Sequence, residues 1–183
     1  MSIGSFVSGS LTILDTNKCF DVALSLACSA VDATSKKMFP KDNNNERFKK
    51  FIREYMRVIS FRGFPGIVAS GIKIKCINIK GLKVDANGMV GIEDIIYHII
   101  RCGIIHECEI DKRIVFTENT YIGDFHSIFR IPKDLVYGLL LAVILSKYNE
   151  EEKTDDGIMI NISGQSIEVN KLWGKIREFS ADL

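Results

Sequence analysis

Residues 97–110 read YHIIRCGIIHECEI, and this stretch holds two of the chain's three histidines, His98 and His106. Arg101 stands in the same apolar run, with four residues between it and His106. The helical wheel decides how the segment is used. At 100° per residue, Ile92, Ile95, Ile96, Ile99 and Gly103 fall on one side, which is expected to face a core. Asp94, Tyr97, His98 and Arg101 fall on the other. A purely structural helix usually carries Lys or Glu on its outer side, whereas this one carries groups that bind anions or move protons. His106 lies about 140° from Arg101 on an ideal helix, so the two converge if the helix end distorts or if the long arginine side chain reaches around.

Working outward, the period of the apolar residues predicts five helices. The first covers about residues 16–39 with Asp15 as its cap and Phe20, Ala23, Leu24, Ala27, Cys28 and Val31 on its apolar stripe. The second covers about residues 46–61 behind Asn45 and buries Phe48, Phe51, Ile52, Tyr55, Met56 and Ile59. The helix of the opening stretch covers about residues 91–107. A fourth, about 133–148, starts with Pro132 in its first turn, and a fifth covers about 170–179. Between them, alternating segments predict strands at about 67–84, 112–131 and 158–169, the last a hairpin turning at Ser163-Gly164-Gln165. The expected class is α+β: one domain over residues 1–183, a core of about five helices decorated with short antiparallel strands and hairpins.

Composition narrows the function classes. Hydrophobic residues are 46% and charged residues 26%, which suits a packed core. Formal net charge is +1, so total charge gives no support to a nucleic-acid binder, yet its distribution is uneven. Residues 36–62 hold nine Lys or Arg against three Asp or Glu, and residues 149–183 hold four against eight. Lys49, Lys50, Arg53 and Arg57 form the basic outside of the second helix, a face suited to phosphates or simply to solvent. The five cysteines form no CxxC pair, which fits reduced thiols in the cytosol. No signal peptide is expected. The longest apolar run, in residues 134–148, is too short for a membrane span of about 20 residues. His98, Cys102 and His106, with Cys108 nearby, lack paired-cysteine spacing, and neither a metal nor a cofactor is expected.

Arg101-Cys-Gly-Ile-Ile-His106, approached through the apolar EDIIYHII, resembles the Arg-x(4–6)-His motif of the HEPN superfamily. The long helix with small residues, CFDVALSLACSAVDATSKK, is similar to the first helix of such bundles. The resemblance covers the helices, while the strands lie outside the minimal family pattern. It implies a metal-independent endoribonuclease, toxin-like or defence-associated, working as a homodimer with two motifs facing each other. His106 would take the proton of an RNA 2′-hydroxyl, and Arg101 would stabilise charge on the phosphate oxygens. The products would be a 2′,3′-cyclic phosphate and a 5′-hydroxyl. Asp94, Tyr97 and His98, by their place on the wheel, would orient these groups or the RNA. Family members usually carry Asn, Asp or His directly after the arginine, and here that position is Cys102. This departure favours the alternative of a non-catalytic module that dimerises or binds RNA or protein. A third reading makes the motif an accident of an unrelated α+β protein.

Overall fold

The computed structural model describes residues 1–64, 73–75, 82–104, 112–126 and 128–180. Among these residues the protein is α+β, with seven α-helices and seven short strands in three small sheets. Backbone contacts divide the chain into two compact units, Met1–Phe48 with Leu139–Leu183, and Lys49–Gly138.

The first unit opens with α1 (Ile3–Asp15), a helix that the sequence reading does not contain. Ser2 caps it: its Oγ accepts from the Ser5 amide at 3.1 Å, while Ser5 returns the contact to the Ser2 amide. Asp15 is therefore the last residue of α1 and not the cap of the next helix. Asn17, at φ 53°, turns the chain out of the helix in the left-handed conformation that Asn tolerates. The following helix, α2 (Phe20–Met38), begins four residues later than expected. It packs along α1 through buried Val7, Leu11, Leu24, Ala27 and Val31. The Ser10 hydroxyl donates to the Ala23 carbonyl across this contact at 2.8 Å. Gly4 lies against the carbonyl of Lys153, a place with no room for a Cβ.

Glu152 ties the same unit together. One of its carboxylate oxygens accepts from the Gly4 amide at the start of α1 at 3.0 Å, and the other pairs with Lys37 Nζ at 2.9 Å. Burial alone would raise its pKa, but the Lys37 ammonium and the Gly4 and Ile3 amides outweigh burial and lower it. Helix α6 (Leu135–Leu145), shorter than the expected 133–148, is apolar on every side and buried throughout Leu139–Leu145. Beyond it Asn149 is fully buried and donates to Thr34 Oγ1 and to the Val143 carbonyl, both at 2.9 Å. The expected hairpin is present as β6 (Met159–Ile162) and β7 (Gln165–Glu168). Its two-residue turn has positive φ at both Ser163 and Gly164, the geometry that matches strand twist. The last helix is broken: a 3₁₀ turn at Val169–Lys171, Gly174 at φ 76°, then α7 (Ile176–Ser180).

The second unit takes in the end of α3 (Asn44–Glu54) and all of α4 (Met56–Gly63), which replace the single helix expected over 46–61. The break falls at Tyr55, at φ −98° and ψ 11°. Asn43 rather than Asn45 caps α3, its Oδ1 accepting from the Glu46 amide at 3.0 Å. Phe51, Ile52, Tyr55, Ile59 and Phe64 fill the core, with the Phe51 and Tyr55 rings stacked at 4.7 Å. Two glycines bring α4 and the start of α6 together. A Cβ on Gly63 would stand 3.0 Å from Leu135 Cα, and Gly138 faces the Ile59 carbonyl. Strand β1 (Lys73–Lys75) pairs antiparallel with β2 (Met89–Gly91); the rest of the lysine-rich run at 65–72 and 76–81 lies outside the described residues. The third sheet has β5 (Ile128–Pro132) in its centre, with β3 (Ile114–Thr117) parallel on one side and β4 (Gly123–Phe125) antiparallel on the other. Pro132 closes β5 and does not open a helix. No helix among the described residues is long and apolar enough to cross a membrane.

Candidate functional site

The opening stretch does not form a regular α-helix. After α5 (Ile92–Ile95) the chain loosens into a π-helical segment over Ile96–Arg101, and the Cys102 amide donates five residues back to the Tyr97 carbonyl. In a π turn each residue advances by less than 100°, so residues four apart return to nearly the same side. This overturns one expectation. Tyr97 and Arg101 are placed outside by the α-helical wheel, yet both are buried, Arg101 to 6% exposure. Ile92, Ile95, Ile96, Ile100 and Gly103 are buried as well. Asp94 and His98 keep the half-exposed position that the wheel gives them. π turns of this kind recur at functional positions, where the loosened backbone re-aims side chains.

Around this segment the structure gathers several of the residues that the sequence singles out. The Arg101 guanidinium carbon lies 5.5 Å from the centre of the Tyr97 ring, within cation–π range. The Tyr97 ring meets the His98 ring edge-on at 5.0 Å. Asp94 pairs with Lys49 at 3.0 Å, and Glu93 with Arg53 Nε at 2.9 Å. Half of the supposed phosphate-binding face thus pairs with acids of α5, while Lys50 and Arg57 stay exposed. Burial, then the Lys49 ammonium, lower the pKa of His98; Asp94 opposes them and Lys83 adds to them. The imidazole is accordingly neutral at pH 7, able to accept a proton. Cys102 is half-buried and carries a free thiol. His106 and Cys108 lie outside the described residues, so the motif is described only at its arginine end.

Two partners of this site, Glu93 and Lys83, are absent from the sequence reading. A signal for Glu93 existed: Lys49 and Arg53 are four residues apart on one helix face, and Glu93 and Asp94 stand side by side in α5. Lys83 stands in a segment read only for its alternation, and nothing local marks it.

A family model described as Rv1289 matches residues 2–181. The chain belongs to the Rv1289 family. Relatives with this ancestry include the uncharacterized protein Rv1289 of Mycobacterium tuberculosis and the uncharacterized protein Mb1320 of Mycobacterium bovis. Each is 23% identical over 183 aligned positions, covering 95% of this chain and 84% of the relative. The alignment thus runs through both units and includes Lys49, Asp94 and Arg101 within the family's span. No solved structure matches the chain.

Proposed function

We propose that this member of the Rv1289 family is a metal-independent endoribonuclease of HEPN type, with Arg101 and His106 as its reacting pair. His106 takes the proton from an RNA 2′-hydroxyl, the oxyanion attacks the adjacent phosphorus, and the bond to the 5′-oxygen breaks. The departing 5′-oxygen picks up a proton, leaving a 2′,3′-cyclic phosphate and a 5′-hydroxyl. Arg101 supplies fixed positive charge to the phosphate oxygens as negative charge grows on them.

The observation that carries this reading is the arginine itself. A guanidinium does not lose its charge, and withdrawing one from water costs several kcal/mol before its contacts are counted. Here it is held almost solvent-free at the end of a π-helical segment, against an aromatic ring. A site that must present charge in one fixed direction has use for such confinement. A symmetric homodimer in the cytosol, and a toxic or defensive role, complete the proposal.

Cys102 favours a second reading, in which the same site only dimerises or binds RNA or protein, because a thiol next to the arginine lacks the polar reach of an amide or carboxylate. Purified protein incubated with mixed RNA in EDTA separates the two. Cleavage is expected, reduced by about 10²–10⁴-fold in His106→Ala and by about 10²–10³-fold in Arg101→Lys. Folded protein that binds RNA without cutting it supports the second reading and overturns the first.

A further inference from the structure

We infer that the outward face of the β3–β5–β4 sheet is a stacking platform for single-stranded RNA, built from Tyr121, Phe125 and His126 with Arg130. RNA as the polymer rests on the nuclease reading; the platform itself rests on the following geometry.

The register Val115↔Arg130, Gly123↔Arg130 and Phe125↔Ile128 puts Val115, Ile128, Arg130 and Phe125 on one side of the sheet. Ile114, Phe129 and Ile131 fill the other side and are buried. The outward side is unusually apolar for a surface: Tyr121 and Phe125 are each 47% exposed, and Val115 and Ile128 are exposed too. Its aromatic groups are arranged together. The Arg130 guanidinium lies 4.5 Å from the Phe125 ring centre, and the His126 ring meets Phe125 edge-on at 4.5 Å. Gly123, at φ 144°, leaves the strand bare beneath Tyr121. A Cβ there would stand 3.1 Å from the Tyr121 hydroxyl, which donates to the Asp124 carbonyl at 3.2 Å. His126 holds a left-handed backbone at φ 52°, a conformation of some cost outside glycine.

The charge on this face chooses the occupant. Among the described strand positions its charged side chain is Arg130. The Arg113 carbonyl, one residue ahead of β3, accepts from the Phe129 amide at 2.7 Å and holds the end of the strand pair in place. Asp124 is paired in register with buried Phe129 and belongs to the other side. Exposed rings beside a guanidinium, with no carboxylate among the described strand positions of this face, suit unpaired bases and their phosphates: every base offers a π face, and the cation meets the backbone. A ring covering an edge-strand glycine is a known structural device, which accounts for Tyr121 but leaves Phe125 and His126 in solvent.

The test uses the full chain and a labelled single strand of about 12 nucleotides, a length within the usual site size, with 2′-O-methyl groups so that it resists cleavage. Fluorescence anisotropy is expected to show tighter binding to the single strand than to its duplex. Phe125→Ala and Arg130→Ala should each weaken single-strand binding about fivefold or more, and Phe125→Trp should retain it. Equal binding by wild type and Phe125→Ala overturns the inference, as does the absence of single-strand binding. Self-association that Phe125→Ala abolishes, without RNA binding, also overturns it and makes the face a protein interface. Phe125-dependent binding by a protein that never cuts RNA leaves the platform standing and sinks the nuclease reading. Cleavage with an unchanged KM in Phe125→Ala does the reverse.

Discussion

His98 and Glu152 show how single residues here answer to their neighbours. The pKa of His98 is lowered by burial and then by Lys49, against the pull of Asp94. Replacing Lys49 with Met removes a cation and leaves Asp94 unpaired, and both changes favour the imidazolium. The His98 titration, followed by NMR, is therefore expected to move upward in Lys49→Met; a downward or absent shift would contradict this placement. A lowered folded pKa means that the neutral ring stabilises the fold above the unfolded value of about 6.5, and this contribution is lost as pH falls through the folded value. Glu152, also lowered, behaves alike at more acidic pH: its contribution is full above the ordinary carboxylate range and fades below it. Glu152→Gln should cost about 1 kcal/mol at pH 7 by weakening the anion at the α1 N-terminus. That difference, measured by urea denaturation, should vanish as the pH falls below the carboxylate range. A constant difference at every pH would show that the charge plays no part.

At the scale of elements, close approach depends on glycine where helices meet. Gly138, at the start of α6, faces the Ile59 carbonyl of α4. Gly138→Ala is expected to destabilise by about 1–3 kcal/mol as the two helices are forced apart, read as a lower thermal midpoint; an unchanged or higher midpoint would mean that the contact yields freely. Elements also show where the sequence was readable. Strong periodicity identified α2, the apolar α6 and the β6–β7 hairpin, whose Ser163-Gly164 turn is written in its residues. Helix α1 was missed because its cap is a Ser-x-x-Ser pair without the acidic residue that usually marks a first turn. Asp15 then reads as the start of a helix although it is the end of one. Strand β4 is three residues long and begins with a positive-φ glycine, too little for a period of two to register. The π-helical segment was not legible at all. Its apolar residues fit an α-helical wheel, and only the backbone hydrogen bonds show that Tyr97 and Arg101 turn inward.

For the whole molecule, a net charge of +1 hides local organisation. Cations of α3 are matched to acids of α5, Lys37 is matched to Glu152, and Arg130 lies over an exposed ring. The α+β class holds among the described residues, and the Rv1289 family model spans residues 2–181. The proposed activity concentrates on a buried guanidinium and a histidine five residues on. The most direct measurement is the end chemistry of RNA treated in EDTA with wild-type protein and with His106→Ala. The proposal requires fragments ending in 2′,3′-cyclic phosphate from the wild type and essentially none from the variant. Intact RNA in both reactions, or the same fragments from both, would contradict it.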